Sequence, residues 1–141
     1  MDGRTSISSL RFEGYTVNEV LFKKNDTPDD VKEWKLTFNI NNITRVDKEN
    51  NRMAITLSTD IFKDIDNAPF SMRVEILGMF SLNGDDDIRK YEANAIAIMY
   101  PYLRAIISTY TASANISPVI LPAINVNAML KRNKEETKQE N

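Results

Sequence analysis

Apolar residues recur at every second position in three stretches of this chain, and that alternation predicts most of its fold. Between 33 and 46, Trp34, Leu36, Phe38 and Ile40 alternate with Lys35, Thr37 and Asn39. From 52 to 62, Met53, Ile55 and Leu57 share one side and Ala54, Thr56 and Ser58 the other. From 70 to 82, Phe70, Met72, Val74 and Ile76 alternate with Ser71, Arg73 and Glu75. A period of two puts successive side chains on opposite faces, so each stretch reads as a strand with one apolar and one polar face. The last of them loses phase at Leu77-Gly78-Met79, where the glycine suggests a bulge. An earlier strand is expected from Leu10 and Phe12 through Tyr15, Val17, Val20 and Phe22, bent or bulged near Gly14. Turn residues cluster at 25–30, 47–51 and 63–69.

The rest of the chain carries helical spacing. Met99, Leu103, Ile106, Ile107 and Tyr110 form an apolar stripe, and Ile96, Ile98 and Tyr102 widen it beyond what one sheet would cover. Asn94 is the expected N-cap of a helix over 94–113. Pro101 falls inside that pattern, where proline removes a hydrogen bond and costs about 3 kcal/mol, so a kink or an early-turn position is expected. A short helix over 85–91 precedes it, with three aspartates at its positive end. Residues 117–124 read as extended around Pro118 and Pro122. Asn125 then opens a last helix to about residue 134. The pattern is α+β: a four-stranded antiparallel sheet covered on its apolar face by a long helix, with a C-terminal helix. One domain is expected over 1–134, followed by a flexible tail at 135–141.

Composition narrows the chemistry. The 141 residues contain no histidine and no cysteine. The commonest general base and metal ligand are therefore missing, as are thiol nucleophiles and disulfides. Asp85-Asp86-Asp87 could hold Mg²⁺, but consecutive carboxylates on a helix diverge and no phosphate-cradling loop accompanies them. Asp60, Asp64 and Asp66 lack the spacing and central glycine of a calcium loop. Glu13 and Glu19 could serve as an acid–base pair, but the sequence places no partner for them and surface roles are much the better account. No enzyme activity, cofactor or metal is expected. A net charge of −2 with scattered cations argues against a nucleic-acid partner. The start, MDGRTSISSLRF, lacks the pattern of a signal peptide, and no apolar run is long enough to insert in a membrane, so a cytoplasmic location is expected.

Several segments resemble the SecB family of export chaperones. Tyr100-Pro101-Tyr102 is similar to that family's long-helix signature, and 122–130 (PAINVNAML) to its loop and last-helix start. Residues 74–82 (VEILGMFSL) look like its fourth strand, Lys35-Leu36 like part of its second, and Phe22 like a late aromatic of its first. The resemblance implies the same α+β fold, assembled as a homotetramer, a dimer of dimers with the helices between two sheets. It implies an ATP-independent chaperone that holds unfolded or pre-export polypeptides in apolar grooves. By position it implicates Phe22, Trp34, Phe38, Phe70, Met72, Val74, Met129 and Leu130 in peptide binding. The strand residues among them share the face that the helix must cover, so core roles stay open for some.

The family's export members present an acidic outer sheet face to the motor SecA. Two of those acidic positions align with Lys23 and Arg73, whose sign is reversed, while Glu19 keeps its charge. SecA is therefore a doubtful partner, and a chaperone dedicated to one partner, such as an antitoxin, is an alternative. A small-molecule or lipid binder using the space between sheet and helix is another.

Overall fold

A computed structural model describes residues 8–26 and 35–140, with 136–140 described by backbone alone. Four strands form one antiparallel sheet: β1 (Ser9–Lys24), β2 (Phe38–Asp47), β3 (Arg52–Ile61) and β4 (Phe70–Asn83). Their order is β1-β4-β3-β2. β2, β3 and β4 meander, and the link from β1 to β2 crosses from one edge of the sheet to the other. A 3-10 turn (Ile88–Tyr91) leads into α1 (Glu92–Ser113), and α2 (Val126–Glu140) ends the described chain.

The irregular spacing on β1 has a simple cause. Its inward residues are Phe12, Tyr15, Val17, Val20 and Phe22, paired with Phe80, Gly78, Ile76, Val74 and Met72 of β4. The pairing slips between Phe12 and Tyr15 and again between Val17 and Glu19. Each slip inserts one extra residue, and the apolar side chains return to the same face. Gly14 sits in the first bulge at φ +111, a conformation that a side chain would strain. The second bulge, near Asn18, carries no glycine.

β4 corrects one expectation. It keeps strict phase to its end, and Gly78 lies on the inner face without a bulge. A Cβ there would come within 2.7 Å of the Met99 sulfur. The glycine lets α1 approach the sheet, and the bulges belong to the strand opposite. β2 also begins later than its alternation suggests, at Phe38 rather than 33. Residue 34 lies outside the described residues.

α1 covers the inner face with Ala95, Ile96, Met99, Tyr100, Leu103 and Ile107, all buried against β3 and β4. Full burial of each large apolar side chain stabilises by roughly 1.5–3 kcal/mol. The helix starts earlier than Asn94 suggests: Tyr91 holds the cap position without a side-chain bond, and Asn94 is in the first turn. Asp87 caps the preceding 3-10 turn instead, accepting from the Arg89 amide at 2.9 Å. Pro101 lies within a continuous helix, on its exposed side, as does Ala97 whose carbonyl the ring leaves unpaired.

The segment between the helices is pinned to α1 by side chains. The Tyr100 hydroxyl donates to the Pro122 carbonyl. Ser108 Oγ donates to the Val119 carbonyl at 2.9 Å, and the Val119 amide donates to Thr111 Oγ1 at 2.9 Å. Leu121 is thereby fully buried while Ile120 beside it stays exposed. α2 opens on Asn125, whose Oδ1 accepts from the Ala128 amide at 3.0 Å, and it runs to Glu140 rather than stopping near 134.

Gly78→Ala should cost about 1–3 kcal/mol by overpacking. In a Met99→Ala background the same change should be neutral or stabilising, because the new methyl enters the space the methionine leaves. Urea denaturation of the four proteins checks this coupling.

Candidate functional site

The register brings the implicated strand residues into two adjacent rows. Phe22 pairs with Met72, Met72 with Ile61, and Ile61 with Phe38, so one row crosses the inner face from edge to edge. The next row is Val20, Val74, Thr59 and Ile40. Both lie at the end of the sheet from which the β1–β2 link and the 62–69 loop emerge.

The middle and the ends of these rows differ in exposure. Val74 is 0% exposed, Met72 3% and Phe70 6%; α1, Phe62 and their neighbours cover them. Met129 and Leu130 are 4% and 9% exposed, turned from α2 into the core. Only Phe22 and Phe38, on the two edge strands, are half-exposed. Phe22 lies against Phe70 and Tyr110, with ring centroids 5.3 and 5.5 Å away. Trp34 lies outside the described residues. The implicated set therefore divides into a buried floor and two accessible rims.

Two depressions mark those rims. One, of about 460 Å³, is lined by Phe22 and Met72 together with Leu21, Lys23, Lys63 and Arg73. The other, of about 300 Å³, lies between β2 and α2 and joins Phe38 to Met129. Asn39, Ile40, Ile124, Asn125, Ala128 and Arg132 complete it among the described residues. The sequence reading missed these six, although Asn125, Ala128, Met129 and Arg132 follow helical spacing and so had to share a face. An Asn133–Asn42 hydrogen bond of 2.7 Å holds α2 beside β2.

On the outer face, Arg73 is tied to three carboxylates. Its guanidinium meets Glu19 at 3.0 Å, Asp60 at 3.2 Å and Glu75 at 3.1 Å. Partial burial works against the Arg73 charge, but the carboxylates, Asp60 foremost, outweigh it and hold its pKa above the ordinary value. The acidic candidates of the sequence separate accordingly. Glu13 pairs with Arg52 at 2.6 Å and Glu19 with Arg73, so the two glutamates do not face each other. Hydrogen bonding from Arg52 lowers the Glu13 pKa. Asp86 pairs with Lys90 at 2.9 Å, a bond that lowers its pKa, while Asp87 caps the 3-10 turn. Asp60 is bonded to Arg73 at 3.2 Å. Among the described residues no group of three or more acidic side chains could hold a metal ion, and no helix is long and apolar enough to cross a membrane.

This antiparallel sheet, with a long helix on one face and a second helix beside an edge strand, defines an α+β scaffold. The family model described as preprotein translocase subunit SecB matches residues 6–137, and the chain belongs to the SecB family. An uncharacterized protein of Methanocaldococcus jannaschii is 39% identical over 94% of this chain and 89% of its own length. The protein-export protein SecB of Anaplasma phagocytophilum is 26% identical over 55% of this chain and 54% of its own length. A SecB-like chaperone of Mycobacterium tuberculosis, solved with a ChAD peptide from an antitoxin, has the same fold. Its TM-score is 0.67 at 13% identity, over 82% of this chain and 91% of that one.

Tyr100→Phe should cost about 0.5–1.5 kcal/mol through the lost bond to Pro122. Amide exchange should quicken around residues 119–122 while the sheet keeps its protection.

Proposed function

We propose that this chain is an ATP-independent chaperone that holds non-native polypeptide in the cytoplasm, with its clients lying along the rims of the sheet. The observation that carries this reading is the groove between β2 and α2, where half-buried Phe38 meets Ile40, Ile124 and Met129 beside a strand that is at the edge of the sheet among the described residues. Such a groove takes an extended segment by pockets and by main-chain contacts, and needs no chemistry. Membership of the SecB family supports it. Of the implicated residues, Phe22 and Phe38 are proposed as direct contacts. Phe70, Met72, Val74, Met129 and Leu130 are proposed as the floor that shapes the rims.

Without nucleotide, the protein should slow aggregation of a heat-unfolded client. Phe38→Ser and Ala128→Arg, the second exposed on the groove wall, should each weaken protection several-fold with circular dichroism unchanged. Full protection by both folded variants would place the clients elsewhere.

Self-association is part of the same proposal. Ile98, Tyr102 and Tyr110 of α1 are exposed together with Tyr15 and Val17 of β1. The Tyr15 and Tyr102 rings lie 4.8 Å apart, so these residues form one apolar strip. Covering it with further copies of the chain would account for a stripe wider than one sheet uses. Light scattering at micromolar concentration should report a dimer or tetramer, and a monomer would contradict this assembly.

A chaperone dedicated to one partner remains the second reading, favoured by the antitoxin peptide bound to the structural neighbour. The reversed charge at Arg73 speaks against SecA less than its sign suggests: three carboxylates surround it, so that cluster stays net negative. Lys23 and Lys63 nearby are exposed and have no ion pair among the described residues. The full burial of Met99, Leu103 and Ile107 between sheet and helix speaks against the small-molecule alternative.

A further inference from the structure

We propose that the β2–α2 groove selects extended segments in which acidic residues flank the apolar ones, with Arg132 receiving the carboxylate. The inference rests on the reading of this groove as a polypeptide site and adds the charge of what enters it.

The main-chain side of the site follows from register. The Phe62 amide donates to the Thr37 carbonyl at 2.8 Å. In an antiparallel pair, bonded residues alternate with residues whose amide and carbonyl turn away from the neighbour. Thr37 faces β3, so the backbone groups of Phe38 and Ile40 turn to the free edge of the sheet. Their side chains meanwhile point into the groove. An incoming strand can therefore bond the edge and seat alternate apolar residues on Phe38, Ile40, Ile124 and Met129.

The charge of the site is one-sided. Among the described residues its lining includes Arg132 and no carboxylate. Lys131 and Lys134 are exposed on the same helix. None of these cations has a carboxylate partner among the described residues. Arg52 and Arg73, on the outer face of the same sheet, are both paired. A guanidinium with no carboxylate partner among the described residues, beside apolar pockets and an edge strand, is complementary to a carboxylate on the entering chain, and repels a cation there.

The test is a fluorescence-anisotropy titration with two labelled peptides of one length and one alternating apolar pattern, flanked in one by Glu and in the other by Lys. Wild type should bind the Glu peptide about three- to ten-fold more tightly, as expected for exposed charge pairs gained and avoided. The preference should shrink as salt rises. Arg132→Glu should reverse the order. Arg45→Glu, an exposed change on the outer face, should leave it unchanged. Equal binding of both peptides, or preference for the Lys peptide, overturns the charge selection while leaving the chaperone reading intact. The same holds if Arg45→Glu shifts the preference as much as Arg132→Glu. Failure of the wild type to bind either peptide overturns both readings.

Discussion

A four-stranded sheet with a continuous apolar face must be covered, and one helix is too narrow to cover all of it. α1 lies against β3 and β4, where Ile55, Leu57, Ile76 and Phe80 become fully buried. The two edge strands receive less. β2 is covered in part by α2, held by the Asn133–Asn42 bond and a short apolar seam. β1 is left with Tyr15 and Val17 half open beside the exposed flank of α1. The same shortage of cover thus generates both proposed binding surfaces, one for a client and one for further copies of the chain. The stable centre and the adaptable rims come from one packing geometry.

The close approach of α1 depends on small, specific features. Gly78 removes the one side chain that would collide with Met99. Tyr100, Ser108 and Thr111 convert the polar groups of the helix flank into anchors for the proline-containing segment. That segment delivers Ile124 and Asn125 to the start of α2, so the position of the groove is set by hydrogen bonds one helix away from it.

Much of this was legible in the sequence, and the failures have physical causes. Alternation in β3 and over 70–76 of β4, with the stripe of α1, identified the sheet, its apolar face and its cover. On β1 the spacing between inward residues runs three, two, three, two, and each three is a bulge; only the one with a glycine announced itself. Gly78 was misread because a glycine in a strand has two explanations, a bulge or a close neighbour, and the neighbour comes from a distant helix. The candidate site was half legible. Period two marked Phe38, Met72 and Val74 as apolar and inward, but could not say that Phe38 sits on an edge strand while Val74 lies under a helix. Arg73 read as a reversed charge because its three carboxylates come from three strands.

The central claim is that clients lie along β2 and α2. Hydrogen exchange of the full chain, with and without a permanently unfolded client, tests it directly. The account predicts slowed exchange at the edge-facing amides of Phe38 and Ile40 and across the first turns of α2, with the outer face near Arg73 unchanged. Protection confined to the outer face, with β2 and α2 exchanging as in the free protein, would contradict it.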